Sequence, residues 1–300
     1  MRDVSFKPTT LRTAIAEARL IVSPGTTERV RTGDLPKADP VAIARTAGVM
    51  AAKKTTEWIP YCHNIPIEHV QIDIDLNDAE ILVKAKVASV ARTGVEMEAM
   101  TAAAATAITL YDMLKIIDDD MEIVGVKLLE KRGGKSDRQF VGDWTAAVIT
   151  VSDSAATGTR EDVSGRILEH GLAGLGATSV HRATVADEAT EIKSALEGVL
   201  AAGHTVVLLT GGTGVGPRDR TPEAVRPVLE TELPGVAQTF IQYSQARHPR
   251  AMLSRIVAGI AQGAVVVALP GSPGACQDAL DCLFPALLHT RDMLAGAGHP

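Results

Sequence analysis

TVVLLTGG (205–212) decides how the second half of this 300-residue chain folds. It is a short, largely β-branched run that ends in small polar residues and glycine. TAAVITVSD (145–153) and GAVVVALPG (263–271) repeat the pattern. Helical stretches at 161–172, 187–202, 222–230 and 275–294 lie between or after these runs. Continuous apolar strands alternating with helices indicate an α/β unit with a mainly parallel sheet buried on both faces. Ligands of such sheets bind beyond the carboxyl ends of the strands. The loops after 151, 210 and 270 therefore emerge on one rim.

The middle loop, TGGTGVGPRDRTPE (210–223), is glycine-rich and brings backbone N–H groups toward something anionic. It has no GK[ST], so it is not a Walker loop. Its spacing, and its place after a later strand, do not match the dinucleotide fingerprint, which argues against a nicotinamide oxidoreductase, a reading that failure to bind NAD(P)H would end. A plain strand-to-helix turn explains one or two glycines. LPGSPGA (269–275) forms a second such junction on the same rim, with Ser272 as a hydroxyl donor. Two such loops together favour a phosphate-bearing ligand. Asp219 follows the glycine loop and Asp187 opens the helix after HRATVAD. Hard oxygen ligands of this kind suit Mg²⁺ bridging phosphates. The plain alternatives are an N-cap role for Asp187 and pairing of Asp219 with Arg218 or Arg220.

The first half reads differently. PVAIARTAGVMAAKKT (40–55) has helical spacing, whereas HVQIDIDLND (69–78) alternates with period two and turns at Asn77-Asp78 into EILVKAKVASV (80–90). VEMEAMTAAAATAITLYDMLKIIDD (95–119) is an alanine-rich helix with acids in its first turn, and MEIVGVKLLEK (121–131) returns as a strand. Helices covering one face of an antiparallel sheet make an α+β sandwich. LLEKRGGKSDRQFVGDW (128–144) breaks the pattern, and a linker over 139–144 divides a domain at 1–138 from one at 145–300.

Lysine usage changes at the same place. Residues 1–140 hold ten lysines, residues 141–300 only Lys193. Lys37, Lys53, Lys54, Lys131 and Lys135, with Cys62, His63, Arg92, Glu96 and Glu98, describe a lysine-rich pocket with acids and a histidine. Asp112 and Lys115 lie three apart on one helical face. Such a set suits a polyphosphate substrate that needs proton transfers. Cys62-His63 has no second pair to complete a zinc site.

Composition bounds the classes. The chain is 46% hydrophobic and 22% charged, which describes globular domains. Aromatics at 3% and a net charge of −6 argue against nucleic acid. Three cysteines without a CxxC, no apolar leader in MRDVSFKPTT and no membrane-length apolar run give a cytoplasmic expectation with no membrane partner.

KADPVAIARTAGVMAAKKT, IPYCHNIP, RTGVEMEAMTAA, LYDMLK and GGKSD together resemble the cyclic pyranopterin monophosphate synthase (MoaC) family over nearly all of residues 1–137. VSDSAATGTREDVSG, TGGTGVGPRDRTPEA, AMLSRIVAG and LPGSPGA resemble the MogA/MoaB family of molybdopterin adenylyltransferases over about 145–295. The resemblance implies a fusion of two enzymes of molybdenum cofactor synthesis. It implies a ferredoxin-like first domain, hexameric with sites between subunits, which converts 3′,8-cyclo-7,8-dihydro-GTP to cyclic pyranopterin monophosphate and releases pyrophosphate. Asp112 and Lys115 match that family's acid/base pair; Lys37, Lys53 and Lys131 match its phosphate-holding or catalytic lysines. Cys62, His63, Glu96, Met97 and Glu98 fall at pocket positions.

For the second domain, commonly trimeric, the resemblance implies adenylylation of molybdopterin with Mg²⁺ and ATP, and no tightly bound organic cofactor. Asp187 and Asp219 match its metal- and phosphate-handling acids. Asp153, Thr210, Gly211, Gly212, Thr213 and Gly214 would line the cleft with Pro270, Gly271, Ser272 and Pro273. Gln238 stands where many relatives carry Glu, and no lysine is near. A second reading therefore has this half bind or carry molybdopterin without adenylyl transfer.

Overall fold

The computed structural model describes residues 1–36, 38–134 and 142–296. The chain divides into two compact units, Met1–Asp137 and Arg138–Pro300. The first runs β1 (Thr10–Ile21), α1 (Thr26–Thr32), α2 (Pro40–Lys53), α3 (Thr55–Trp58), β2 (His69–Asn77), β3 (Glu80–Ala91), α4 (Glu96–Leu114) and β4 (Glu122–Arg132). Its four strands are all antiparallel in the order β2-β3-β1-β4, the ferredoxin-like arrangement. The hairpin turn falls at 78–79, with Asn77 opposite Glu80, one position later than its asparagine predicts.

β1 is absent from the sequence reading. Its inward side is Ala14, Ala16, Ala18 and Leu20, all fully buried, and alanine carries too little hydrophobic signal to mark a strand. The same smallness lets α4 lie close to the sheet with Ala99, Ala102, Ala103 and Ala107 buried. α2 packs on α4 at Gly48, where an added Cβ would stand 2.1 Å from Thr106 Oγ1. Asp39 caps α2 by accepting from Val41 and Ala42 N–H, with Pro40 at the first helical position.

The second unit runs β5 (Thr145–Val151), α5 (Asp153–Ala156), α6 (Val163–Gly174), β6 (Ser179–Val185), α7 (Ala189–Ala201), β7 (Val206–Thr210), α8 (Thr221–Val225), β8 (Thr231–Glu232), α9 (Pro234–Gln245), β9 (Val257–Ala261), β10 (Ala264–Leu269), α10 (Pro273–Leu283) and α11 (Thr290–Leu294). Its six-stranded sheet has the order β6-β5-β7-β10-β9-β8. β6, β5, β7 and β10 are parallel, and β9 and β8 add antiparallel neighbours. Leu168, Phe240 and Leu280 of α6, α9 and α10 cover one face, while Ile192, Leu196 and Val225 of α7 and α8 cover the other.

The mainly parallel sheet is as expected, with additions and corrections. β6, β9 and α9 escaped the sequence reading: β6 is an edge strand that alternates, and β9 is short and broken by Gly259. The helix expected over 275–294 ends at Leu283, because Pro285 cannot continue it. The helix expected over 222–230 is one turn of α8 followed by a 3₁₀ turn at Arg226–Val228, with Pro227 inside it. In the first unit, the strand expected over 121–131 is β4, Glu122–Arg132. No described helix is long and apolar enough to cross a membrane.

Candidate functional site

In the second unit β6 lies to one side of β5 and β7 to the other, so the strand order reverses at the β5/β7 edge. Crevices in open parallel sheets form at such a reversal. A cleft of about 470 Å³ opens there. It is lined from three loops, by Thr210 to Gly214 and Asp219, by Pro270 to Pro273, and by Thr150 to Ser152 with Arg160 to Ser164. The three junctions expected on one rim thus meet in one place.

The glycine loop is held by its carbonyls. Gly211 has φ of +114°, and a Cβ there would stand 2.1 Å from Val151 O, so only glycine fits between the ends of β5 and β7. Its N–H donates to Leu269 O at 3.0 Å. The buried Thr210 hydroxyl donates to Pro270 O at 3.0 Å, and Thr221 donates to Gly211 O through its hydroxyl (2.8 Å) and to Gly212 O through its N–H (3.1 Å). Arg255 does the rest: its N–H donates to Thr213 O, Nε to Gly214 O and Nη2 to Asp219 O, each at 2.8 Å. Its remaining nitrogen meets Glu223, which that bond holds below the usual carboxylate range. Across the cleft Ser164 Oγ donates to Gly271 O at 2.8 Å. With the carbonyls taken, the N–H groups of Gly212, Thr213 and Gly214 make no hydrogen bond among the described residues. Successive unpaired N–H groups in a turn form an anion-binding concavity.

Asp153, expected to line the cleft, does not; it joins Asp187 reciprocally beside the glycine loop, with Asp187 Oδ1 3.2 Å from where a Cβ on Gly212 would stand. Asp153 N–H donates to Asp187 Oδ2 at 2.9 Å, and Asp187 N–H to Asp153 Oδ1 at 3.0 Å. The second bond holds Asp153 below the usual range, helped by Arg218 Nη2 at 2.6 Å. Burial pushes Asp187 up, and the charges of Asp153 and Asp219 add to that. Asp187 is not an N-cap; Glu188 holds that position on α7. Asp219 forms no ion pair with Arg218 or Arg220 among the described residues; its Oδ2 accepts Gly216 N–H at 2.7 Å. Ser272 Oγ caps α10 by accepting Ala275 N–H at 3.3 Å, which leaves its O–H to donate.

A raised carboxyl among like charges is stabilised in its ionised form by a divalent cation. Asp187 and Asp219 therefore fit Mg²⁺, which keeps several waters and needs few protein ligands. Among the described residues there is no group of three or more metal-ligating side chains. The sequence reading missed Arg160, Asp162, Ser254 and Arg255. TGTREDVSG held the first two, but nothing in a loop's sequence tells which charge faces a cleft.

In the first unit the expected pocket divides. Lys115 Nζ lies 2.7 Å from Asp112 Oδ1 at the C-terminal end of α4, and both side chains are more than half exposed, at 58% and 61%. The Asp112 carboxylate pushes the Lys115 ammonium above its ordinary value. Glu96 and Glu98 occupy the first turn of the same helix, where Lys131 Nζ lies 3.4 Å from Glu96 Oε1. Burial raises Glu98, which is 4% exposed, and the Glu96 charge adds to it.

Cys62 belongs to this end too: burial raises its thiol, and the nearby Glu98 charge adds to the effect. The His63 ring is 2.7 Å from Arg2 O through Nε2. Met97 is partly exposed and Lys53 ends α2. At 1.5 Å per residue, Asp112 lies roughly 24 Å along the helix from Glu96. One copy of the chain therefore does not gather these residues into one pocket. Lys37 and Lys135 lie outside the described residues.

Two family models match the chain, the MoaC family over residues 1–134 and the probable molybdopterin binding domain over 147–289. A molybdenum cofactor biosynthesis bifunctional protein from Chlorobaculum tepidum is 41% identical over 299 residues, covering 100% of this chain and 96% of that one. One from Synechococcus elongatus is 40% identical over 319 residues, covering 100% and 98%. A cyclic pyranopterin monophosphate synthase from Thermomicrobium roseum is 48% identical over 138 residues, 45% of this chain and 83% of that one. With whole-chain similarity of this order and both units matched, the chain belongs to the family of molybdenum cofactor biosynthesis bifunctional proteins, a MoaC unit followed by a MogA/MoaB-type unit.

Proposed function

We propose that residues 1–138 convert 3′,8-cyclo-7,8-dihydro-GTP to cyclic pyranopterin monophosphate with release of pyrophosphate, and that residues 145–300 adenylylate molybdopterin with Mg²⁺ and ATP. The observation that carries this reading is that the candidate sites are separate and chemically different. One is a set of lysines and acids on the ends of α4; the other is a lysine-free glycine cleft.

In the first reaction Lys115, kept protonated by Asp112, serves as proton donor and Asp112 as the acceptor. Lys131 and Lys53, with Lys37, hold the phosphates. His63, Glu96 and Glu98 face the pterin-forming end with Cys62 and Met97. Because Glu96 and Asp112 stand roughly 24 Å apart, the complete site forms between copies of the chain, the N-terminal end of one α4 meeting the C-terminal end of another. This makes the protein a homo-oligomer.

In the second reaction the N–H groups of Gly212, Thr213 and Gly214 take a phosphate of the ligand. The pterin's terminal phosphate attacks the α-phosphate of ATP, and pyrophosphate leaves. Asp187 and Asp219 would hold Mg²⁺, which when bound neutralises charge on the transferring phosphates. Asp153 and Arg218 position Asp187. The full-length protein incubated with molybdopterin, ATP and Mg²⁺ is expected to form adenylylated molybdopterin. Tight pterin binding without that product favours the carrier reading, which Gln238 motivates.

A further inference from the structure

Among the described residues lining the second unit's cleft there are three carboxylates, Glu161, Asp162 and Asp219, and a single cation, Arg160. Each carboxylate already has a partner. Glu161 meets Arg166, and Asp219 takes Gly216 N–H at 2.7 Å. Asp162 takes Arg182 Nη2 at 2.7 Å, the Thr150 hydroxyl at 2.9 Å and Gly165 N–H at 2.8 Å. Two neighbouring arginines are equally committed: Arg218 bridges Asp153 and Glu188, and Arg255 ties down the glycine loop, while Arg220 does not line the cleft. The unit's one lysine, Lys193, pairs with Glu197 on α7 at 3.7 Å.

Arg160 differs from all of these. Its N–H donates to Ser154 O at 3.0 Å, which fixes the loop that carries it. Its guanidinium makes no hydrogen bond or ion pair among the described residues. A full positive charge with five donors is thus left uncommitted in the same cleft as the unpaired N–H groups of Gly212, Thr213 and Gly214. A guanidinium matches two oxygens of a phosphate at once, which an ammonium cannot do.

We propose that Arg160 is the ligand-binding residue that grips a phosphate in this cleft. The proposal rests on the reading of the cleft as a phosphate-ligand site. It names the side chain that completes the backbone cradle, and the phosphate belongs either to the nucleotide or to the pterin.

The test is calorimetric titration of the full-length protein with Mg-ATP and, separately, with molybdopterin. Wild type, Arg160→Ala, Arg160→Lys and Arg226→Ala are compared; Arg226 pairs with Glu232, does not line the cleft and controls for lost charge. Losing a charge-assisted bidentate contact is expected to weaken one ligand about tenfold or more, with partial recovery in the lysine variant and none of the effect in Arg226→Ala. The ligand that weakens identifies whose phosphate is held. Binding of both ligands by Arg160→Ala within about twofold of wild type removes the proposal and leaves the cleft reading intact. A wild type that binds neither ligand removes the cleft reading and the proposal with it.

Discussion

Thr150 and Gly271 are far apart in sequence yet line one cleft in the second unit, whereas Glu96 and Asp112 share one helix in the first unit and stand roughly 24 Å apart. The cause is topological. Parallel strands deliver every strand-to-helix loop to the same edge, so remote motifs converge within a single chain. A helix does the opposite and carries its two ends away from each other. The second site is accordingly built inside one copy, and the first, on the reading proposed above, is shared between copies.

The largest effect should come from breaking the shared site. Asp112→Asn and Glu96→Gln are each expected to lower conversion of the cyclic GTP intermediate by a hundredfold or more, since the first removes the proton acceptor and the second the pocket carboxylate that pairs with Lys131. Neither residue is buried in the core, so circular dichroism should remain that of the wild type. Mixing the two dead variants after gentle dissociation should restore activity to about a quarter of wild type, because half of random pairs are mixed and each holds one intact site. Mixtures that stay dead would show that one copy supplies all the groups.

The mirror experiment on the cleft should give no such rescue. Asp219→Ala and Asp187→Asn are each expected to cut adenylyl transfer about a hundredfold, and their mixture should stay at that level. Asp187→Asn should also raise the melting temperature of the second unit near neutral pH. Burial and like charges push this carboxyl up, so its ionised form is held at a cost that the neutral amide avoids. A melting temperature that falls instead would contradict the reading of Asp187 as a destabilised carboxylate.

The cleft's dependence on backbone geometry gives a smaller, purely structural effect. Gly211→Ala places a methyl group 2.1 Å from Val151 O at a φ of +114°, which should destabilise the second unit by about 2–3 kcal/mol in urea unfolding. Conversion of the cyclic GTP intermediate should be unaffected. An unchanged second unit would mean that the strand ends can part without loss, and that the glycine is there for the ligand alone.

What could be read from sequence follows the same division. Valine and leucine runs ending in glycine announce both the parallel sheet and its rim, so the cleft was legible down to Thr210, Gly271 and Asp219. β1 was not, because Ala14, Ala16 and Ala18 bury without looking hydrophobic. Residue types along α4 and its neighbours indicated polyphosphate and proton chemistry, and sites between subunits came only from the family resemblance, because spacing along one helix does not report what a second copy contributes. The commitments of the arginines around the cleft were equally hidden. Arg255 and Arg218 look as available as Arg160 in sequence, and only the hydrogen bonds separate the staple and the bridge from the uncommitted cation.

The smallest effect concerns the buried acid at the first site. Glu98 is 4% exposed and burial raises it, whereas the Asp112–Lys115 pair at the other end of α4 is solvated. In the folded chain Glu98 keeps its proton to a higher pH than in the unfolded chain. The folded state therefore binds more protons between the ordinary glutamate value of about 4.3 and the raised one, and stability must fall as pH rises through that window. Glu98→Gln should flatten this slope and leave the first unit slightly more stable at neutral pH. Asp112→Asn should leave the slope unchanged. Denaturant melts of the full chain between those pH values, followed by a first-unit probe, measure the difference. Equal slopes in wild type and Glu98→Gln would mean that a partner copy neutralises Glu98, which would place the other chain's cations against this end of α4.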